Sequence, residues 1–181
     1  MQPVIETRRL ILRPFGPGDA GDVQRLAGRR EVSETTSYIP HPYEDGMAEA
    51  WIESHTAAWA DRARVSYAVT ARDSGQLVGA VSLSRIDKEA AELGYWIGLP
   101  FWGEGYCTEA AAELLKLAPV EFGIFEIRAV HLLANPASGR VLQKLGLIHV
   151  ADERIPGRHG TMVEVGVYTG DLRNLFLEQA G

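Results

Sequence analysis

The 181-residue chain holds one cysteine, Cys107, and only three lysines, Lys88, Lys116 and Lys144. A single cysteine excludes an intrachain disulfide framework and any multi-cysteine zinc site, and it suits a reducing compartment. The histidines (His41, His55, His131, His149 and His159) show no metal-ligand spacing, so no metal is expected. Basic residues never run beyond two in succession, and 18 of them face 24 acidic residues for a formal charge of −6. Nucleic-acid binding by phosphate neutralisation needs clustered Lys and Arg, so that class is set aside. No stretch approaches the ~20 apolar residues that span a bilayer. Residues Met1–Arg9 contain no apolar run of signal-peptide length. These absences lead us to expect a cytoplasmic protein with neither membrane nor nucleic-acid partners. Function has to come from motifs.

What is present is enough for a core: 46% of the residues are hydrophobic, and the length suits a single domain over residues 1–181. Residues 4–15 alternate late in the run and read as a strand, broken by Pro14, Gly16, Pro17 and Gly18. A helix is expected from Asp19 to about Arg30, a loop over 31–43, and a second helix from about Tyr43 to Arg62. Three strands follow, Val65–Arg72, Leu77–Ile86 and Ala90–Gly98, joined by short turns as an antiparallel meander. Then come a helix from about Glu104 to Ala118, a strand at Glu126–Ala134, a helix at about Ala137–Leu145, a strand from about Leu147 and a last strand at Met162–Gly170. Pro119 should end or kink the helix before it. The order βααβββαβαββ indicates one α/β (α+β) domain with a mixed, mostly antiparallel seven-stranded sheet flanked by helices.

Two segments carry the chemistry. Trp102-Gly103-Glu104-Gly105-Tyr106-Cys107-Thr108-Glu109-Ala110 joins a strand to a helix through G-x-G. Glycines remove side chains that would hold a ligand off the backbone, and the free N–H groups of a helix's first turn favour an anion. The same glycines would equally serve a plain tight turn. A dinucleotide-binding fingerprint is rejected: Thr108 stands at its third glycine, and the motif follows an antiparallel meander instead of opening the fold. In the second segment, Asn135-Pro136-Ala137-Ser138 through Lys144-Leu145-Gly146-Leu147, Asn135 and Ser138 are suited to capping a helix and Gly146 to closing it.

Together and in this order, the segments resemble the acetyl-CoA pyrophosphate loop and the following N-x-x-S…K-x-G region of the GNAT N-acetyltransferase superfamily. Glu6-Thr7-x-Arg9-Leu10-x-Leu12-Arg13-Pro14 and Ala90-Ala91-Glu92-Leu93-Gly94-Tyr95-Trp96-Ile97 are similar to the branch of ribosomal-protein-alanine N-acetyltransferases of the RimJ/RimL type. The resemblance runs from about Thr7 to Arg173. Departures are Trp102 where Gln or Arg is usual, Cys107 for Gly or Ala, and Leu147 for Phe. Cys107 reads as filler in the loop and not as a nucleophile.

The resemblance implies a GNAT-like fold and acetyl transfer from acetyl-CoA to a primary amine by direct attack in a ternary complex. The acceptor would be a protein N-terminus or a small-molecule amine such as an aminoglycoside or polyamine. The backbone of Trp96, Ile97 and Gly98 would hold the pantetheine arm. Trp102, Gly103, Glu104, Gly105, Tyr106, Cys107 and Thr108 would hold the pyrophosphate, Arg140 and Lys144 could meet phosphates, and Asn135 would contact the arm or hold its loop. Such transfer needs an amine freed of its proton, a stabilised oxyanion and a proton for the leaving thiolate. Glu92, on one strand face with Gly94 and Trp96, is the candidate base, against a plain solvated position. Ser138 is the candidate donor to the thiolate, against simple capping. His131 reads as a satisfied core residue. Tyr38, Tyr43, Trp51 and Trp59 read as core, with Tyr38 and Tyr43 alternatively at the acceptor entrance, and loops 31–46 and 154–161 should set the acceptor. A homodimer is compatible with the branch, though no residue pattern specifies one. An acyl-CoA-binding regulatory domain without turnover is the competing reading.

Overall fold

A computed structural model describes residues 2–175. The first expected strand is two: β1 (Ile5–Glu6) and β2 (Leu10–Arg13) pair antiparallel. Thr7 makes the turn, because its hydroxyl oxygen accepts the Leu10 N–H at 2.8 Å while its own N–H donates to Leu10 O. The chain continues through α1 (Ala20–Ala27), α2 (Arg30–Glu34) and α3 (Met47–Ala60). The short α2 lies where a loop was expected. α3 starts later than expected because Gly46 enters it in a left-handed conformation, φ 84°.

The meander is β3 (Arg64–Ala71), β4 (Leu77–Asp87) and β5 (Ala90–Ile97), followed by α4 (Tyr106–Leu117), β6 (Glu126–Leu132), α5 (Pro136–Lys144), β7 (Ile148–Pro156), β8 (Met162–Asp171) and the short α6 (Leu172–Leu175). Past Leu117 the chain widens into a π-type turn over Ala118–Phe122, with Pro119 inside it and left-handed Gly123 closing it. The sheet therefore has eight strands, in the order β1-β2-β3-β4-β5-β6-β8-β7, against the seven expected. Every pair is antiparallel except β5–β6.

Period-two alternation along the meander sorts its residues onto two faces. Val65, Tyr67, Val81, Leu83 and Leu93 join Leu114, Leu115 and Leu142 in the larger core under α4 and α5. Ala68, Ala80 and Trp96 face the other way and pack with Val23, Leu26 and Ile52 beneath α1 and α3. Trp59, Trp51 and Tyr43 pack against these cores as expected, whereas Tyr38 is 59% exposed.

The decisive feature is a split in the sheet. β5 pairs with β6 only over Ala90–Leu93 with Glu126–Ala129, and from Gly94 onward the two strands part. α5 sits beside the opening, and a close approach makes that possible: a Cβ on Gly139 would lie 2.9 Å from His131 Nε2.

Candidate active site

Alternation fixes which backbone groups face the split. Gly98 N–H donates to Val78 O on the β4 side, so the peptide groups of Trp96 and Gly94 point that way too. Those of Tyr95 and Ile97 face the opening. Of the three residues expected to present backbone to the arm, only Ile97 has its peptide groups on the open side, joined by Tyr95. Trp96 and Gly98 are turned toward β4, and Gly98 also packs on Leu26, 2.8 Å from a would-be Cβ. The indole of Trp102 donates to Ile97 O at 2.7 Å and so straps the loop to the strand end.

The loop then reaches α4 through two left-handed glycines, Gly103 at φ 83° and Gly105 at φ 77°, a conformation that side chains resist. The helix starts at Tyr106, later than expected. Its first-turn amides at Tyr106, Cys107 and Thr108 have no intrahelical acceptor and carry the positive end of the helix dipole. Glu109 in that turn is clamped: Oε1 accepts from the Thr7 hydroxyl at 2.6 Å and the Arg9 N–H at 2.9 Å, and Oε2 from Arg9 Nε at 2.7 Å. Burial alone would raise the Glu109 carboxyl, but the Thr7 and Arg9 bonds outweigh it and hold it below its ordinary range. The Arg9 guanidinium also lies over the Tyr106 ring, 4.6 Å from its centroid.

A cleft of about 310 Å³ runs along this surface. Its lining includes Trp96, Ile97, Trp102, Gly103, Gly105, Tyr106, Cys107, Thr108, Asn135, Ser138, Arg140 and Lys144, so most of the expected cofactor residues share one wall. Gly98 and the exposed Glu104 are outside it. Free amides, two glycines without Cβ and two nearby cations make a donor set that suits a pyrophosphate with an extended arm. Burial pushes the Cys107 thiol well up, which keeps it protonated and inert.

Asn135, not Ser138, caps α5: its Oδ1 accepts the Ser138 N–H at 3.3 Å, while Nδ2 donates to Thr35 O at 3.2 Å and ties α5 to the end of α2. The capping reading of the Ser138 side chain is therefore corrected. Its hydroxyl lies 2.9 Å from the Tyr95 hydroxyl, which also donates to Ser138 O at 3.2 Å. Burial, with smaller effects from neighbouring Cys107 and Tyr168, raises the Tyr95 phenol far above its ordinary value. Sequence reasoning missed Tyr95. The signal was there: it is the residue between Gly94 and Trp96, on the opposite face from Glu92.

On the far side of Tyr95 and Ser138 lies a second cavity, lined also by Tyr38, Trp51, Glu92, Gly94, Trp96 and His131. Glu92 is not a solvated strand residue. Its side chain is 15% exposed, and Oε2 accepts from Arg85 and Arg128, each at 3.0 Å. His131 is not a closed core residue either, since it lines this cavity while its Nδ1 faces Leu132 O at 2.8 Å. Loops 31–46 and 154–161 meet at Arg158, whose guanidinium donates to the Ser33 hydroxyl and to Ile39 O. Among the described residues no cluster of His, Cys, Asp or Glu could hold a metal, and no helix is long and apolar enough to cross a membrane.

Residues 9–148 match the family described as the Acetyltransferase (GNAT) domain. The chain belongs to the GNAT acetyltransferase family. By that membership it is an acetyl-CoA-dependent acetyltransferase. The uncharacterized N-acetyltransferase YoaA of Bacillus subtilis (strain 168) is 27% identical over 150 residues, covering 81% of this GNAT chain and 83% of YoaA. Among solved structures, the ribosomal-protein-S5-alanine acetyltransferase of Vibrio fischeri superposes with a TM-score of 0.83 at 15% identity, covering 96% of this chain and 99% of that one. Spermidine N-acetyltransferase of Vibrio cholerae, solved with CoA and spermine, gives a TM-score of 0.78 at 19% identity, with 93% and 99% covered. At these identities the structural likeness speaks to the fold.

Proposed function

We propose that this single-domain GNAT acetyltransferase transfers acetyl to a primary amine by direct attack in a ternary complex. The observation that carries the reading is the Tyr95–Ser138 pair, which lines both the cleft beneath the α4 N-terminus and the cavity on the opposite side of the opened sheet. Two reactants entering from opposite sides would meet there without any residue moving, which is what a direct transfer requires. Acetyl-CoA supplies the activated thioester; the amine nitrogen bonds to its carbonyl carbon, the C–S bond breaks, and an amide and CoA thiol result.

The amides of Tyr106, Cys107 and Thr108 bind the pyrophosphate, with Arg140 and Lys144 as outlying cations. The open-side peptide groups of Tyr95 and Ile97 hold the arm and include the donor toward the developing oxyanion. Ser138 gives a proton to the departing sulfur. Tyr95, kept protonated by burial, orients that hydroxyl and can resupply it. Glu92 is the base for the ammonium proton, acting through water, since its Oε1 has no hydrogen-bond partner among the described residues while Arg85 and Arg128 fix Oε2. The acceptor is a peptide N-terminus or a small-molecule amine.

Incubating the protein with acetyl-CoA and a pool of amines, and following free thiol, tests the reading. Acceptor-dependent thiol release supports it. Tight CoA binding with no such release across the pool would turn the chain into an acyl-CoA-binding regulatory domain. A changed pH–rate profile in Glu92→Gln is expected; an unchanged profile and turnover would remove Glu92 from the mechanism.

A further inference from the structure

The strand register grades the floor of the acceptor cavity. Ala68 pairs with Ala80 and Ala80 with Trp96; Ser66 with Ser82 and Ser82 with Gly94; Arg64 with Ser84 and Ser84 with Glu92. Directly paired residues point to one face. The floor beneath α3 therefore passes from an apolar row to a hydroxyl row to a charged row. Successive rows are two residues apart, roughly 7 Å. Gly94, in the hydroxyl row, leaves the floor open beside Tyr95 and Ser138, so that row is where the reacting nitrogen belongs.

The charged row is rich in arginine. Among the described residues Glu92 is the only carboxylate lining the two acceptor-side cavities, and Arg85 and Arg128 already hold it. Arg85 should point away from Ser84 and Glu92 by alternation. A register shift between Ser84 and Asp87, with Arg85 at φ 51°, swings it back onto the cleft side. One contact to Glu92 leaves most of its five N–H donors free. Arg64 adds another guanidinium to the same wall and forms no ion pair among the described residues. Tyr38, Trp51 and Trp96 give the same two cavities an aromatic lining. A polycationic acceptor would find only the arginine-held Glu92 here and would meet two further guanidinium groups.

Building on the proposed amine acetylation, we propose that the acceptor is a primary amine on an aromatic or apolar body bearing a carboxylate about one row, roughly 7 Å, from the reacting nitrogen. Arg64 and Arg85 receive that carboxylate.

Three amines of one size test this: para-(aminomethyl)benzoate, neutral para-methylbenzylamine and para-xylylenediamine, whose second group is an ammonium. Acetyl transfer from acetyl-CoA is followed by thiol release for the full chain and for Arg64→Gln. The kcat/KM of the benzoate should exceed that of the diamine by about tenfold or more, with the neutral amine between, because like charges are rejected and opposite ones paired. Arg64→Gln should shrink that ratio several-fold, as should added salt. A diamine equal to or better than the benzoate overturns the inference and leaves the acetyltransfer reading standing. If neither these amines nor spermidine nor an alanyl peptide is acetylated, the acetyltransfer reading falls and the inference falls with it.

Discussion

Tyr95 and Ser138 show how much one hydrogen bond can decide. The phenol is half-buried, raised far above its ordinary value, and spends its polar contacts on a single serine. Tyr95→Phe keeps the packing and removes only that partner, so kcat should fall roughly tenfold or more with little change in thermal stability. Ser138→Ala should behave alike, because the α5 cap belongs to Asn135. Asn135→Ala should instead cost about 1 kcal/mol in chemical denaturation. If Ser138→Ala lowers stability and spares turnover, the serine is structural. The residue types of this segment were legible in the sequence, but their assignment was not. Asn and Ser three positions apart both suit a cap, and only the approach of Tyr95, 43 residues earlier in the chain, separates them. Glu92 shows the same limit. Its face followed from alternation, whereas its arginine partners come from a register shift and from a parallel strand that no local pattern announces.

At the scale of elements, the N-terminal hairpin and α4 are bound through Glu109. The Glu-Thr-x-Arg segment was readable only as a resemblance; the structure gives its physical content, since Thr7 and Arg9 both grip a carboxylate in the first turn of the helix. Arg9→Gln should therefore loosen the entry to α4, raising the KM for acetyl-CoA several-fold with a smaller effect on kcat, and lowering stability by about 1–2 kcal/mol. Equal losses in kcat and kcat/KM would mean that the clamp acts on chemistry instead. The extra strand has the same origin. An alternating run from Val4 to Phe15 looks continuous, and only the Thr7 turn divides it. α2 escaped notice because five residues cannot show a helical period. The loop glycines, by contrast, were legible, because Gly103 and Gly105 stand where left-handed backbone is needed.

At the scale of the molecule, acid should find one weak point before others. His55 on α3 packs against Phe15 and Trp51, and neither ring nitrogen has a hydrogen-bond partner among the described residues. Burial, aided by the charge of Arg64, lowers it from 6.5 to about 4. Below pH 6.5 the unfolded chain takes up a proton that the folded chain refuses, so stability falls between pH 6.5 and about 4. The Glu109 clamp is lost lower still, as pH drops below 4.5 and through its depressed value. Urea midpoints across this range should flatten in His55→Phe between pH 6.5 and about 4.5, and an undiminished slope would assign the acid sensitivity elsewhere.

The surplus of acid in the composition, −6 overall, does not extend to the proposed acceptor cavity, where, among the described residues, one lining carboxylate is shared by two arginines. Net charge is a property of the whole surface and does not set the local field of a cleft. The account as a whole rests on one junction, at which a donor from the α4 side and an amine from the α3 side meet across Tyr95 and Ser138. Single-turnover acetyl transfer to para-(aminomethyl)benzoate, compared between the unaltered chain and Tyr95→Phe with acetyl-CoA saturating, tests that junction most directly. The account predicts acetylated amine from the unaltered chain and a rate reduced roughly tenfold or more in the variant. Equal rates in the two proteins would contradict it.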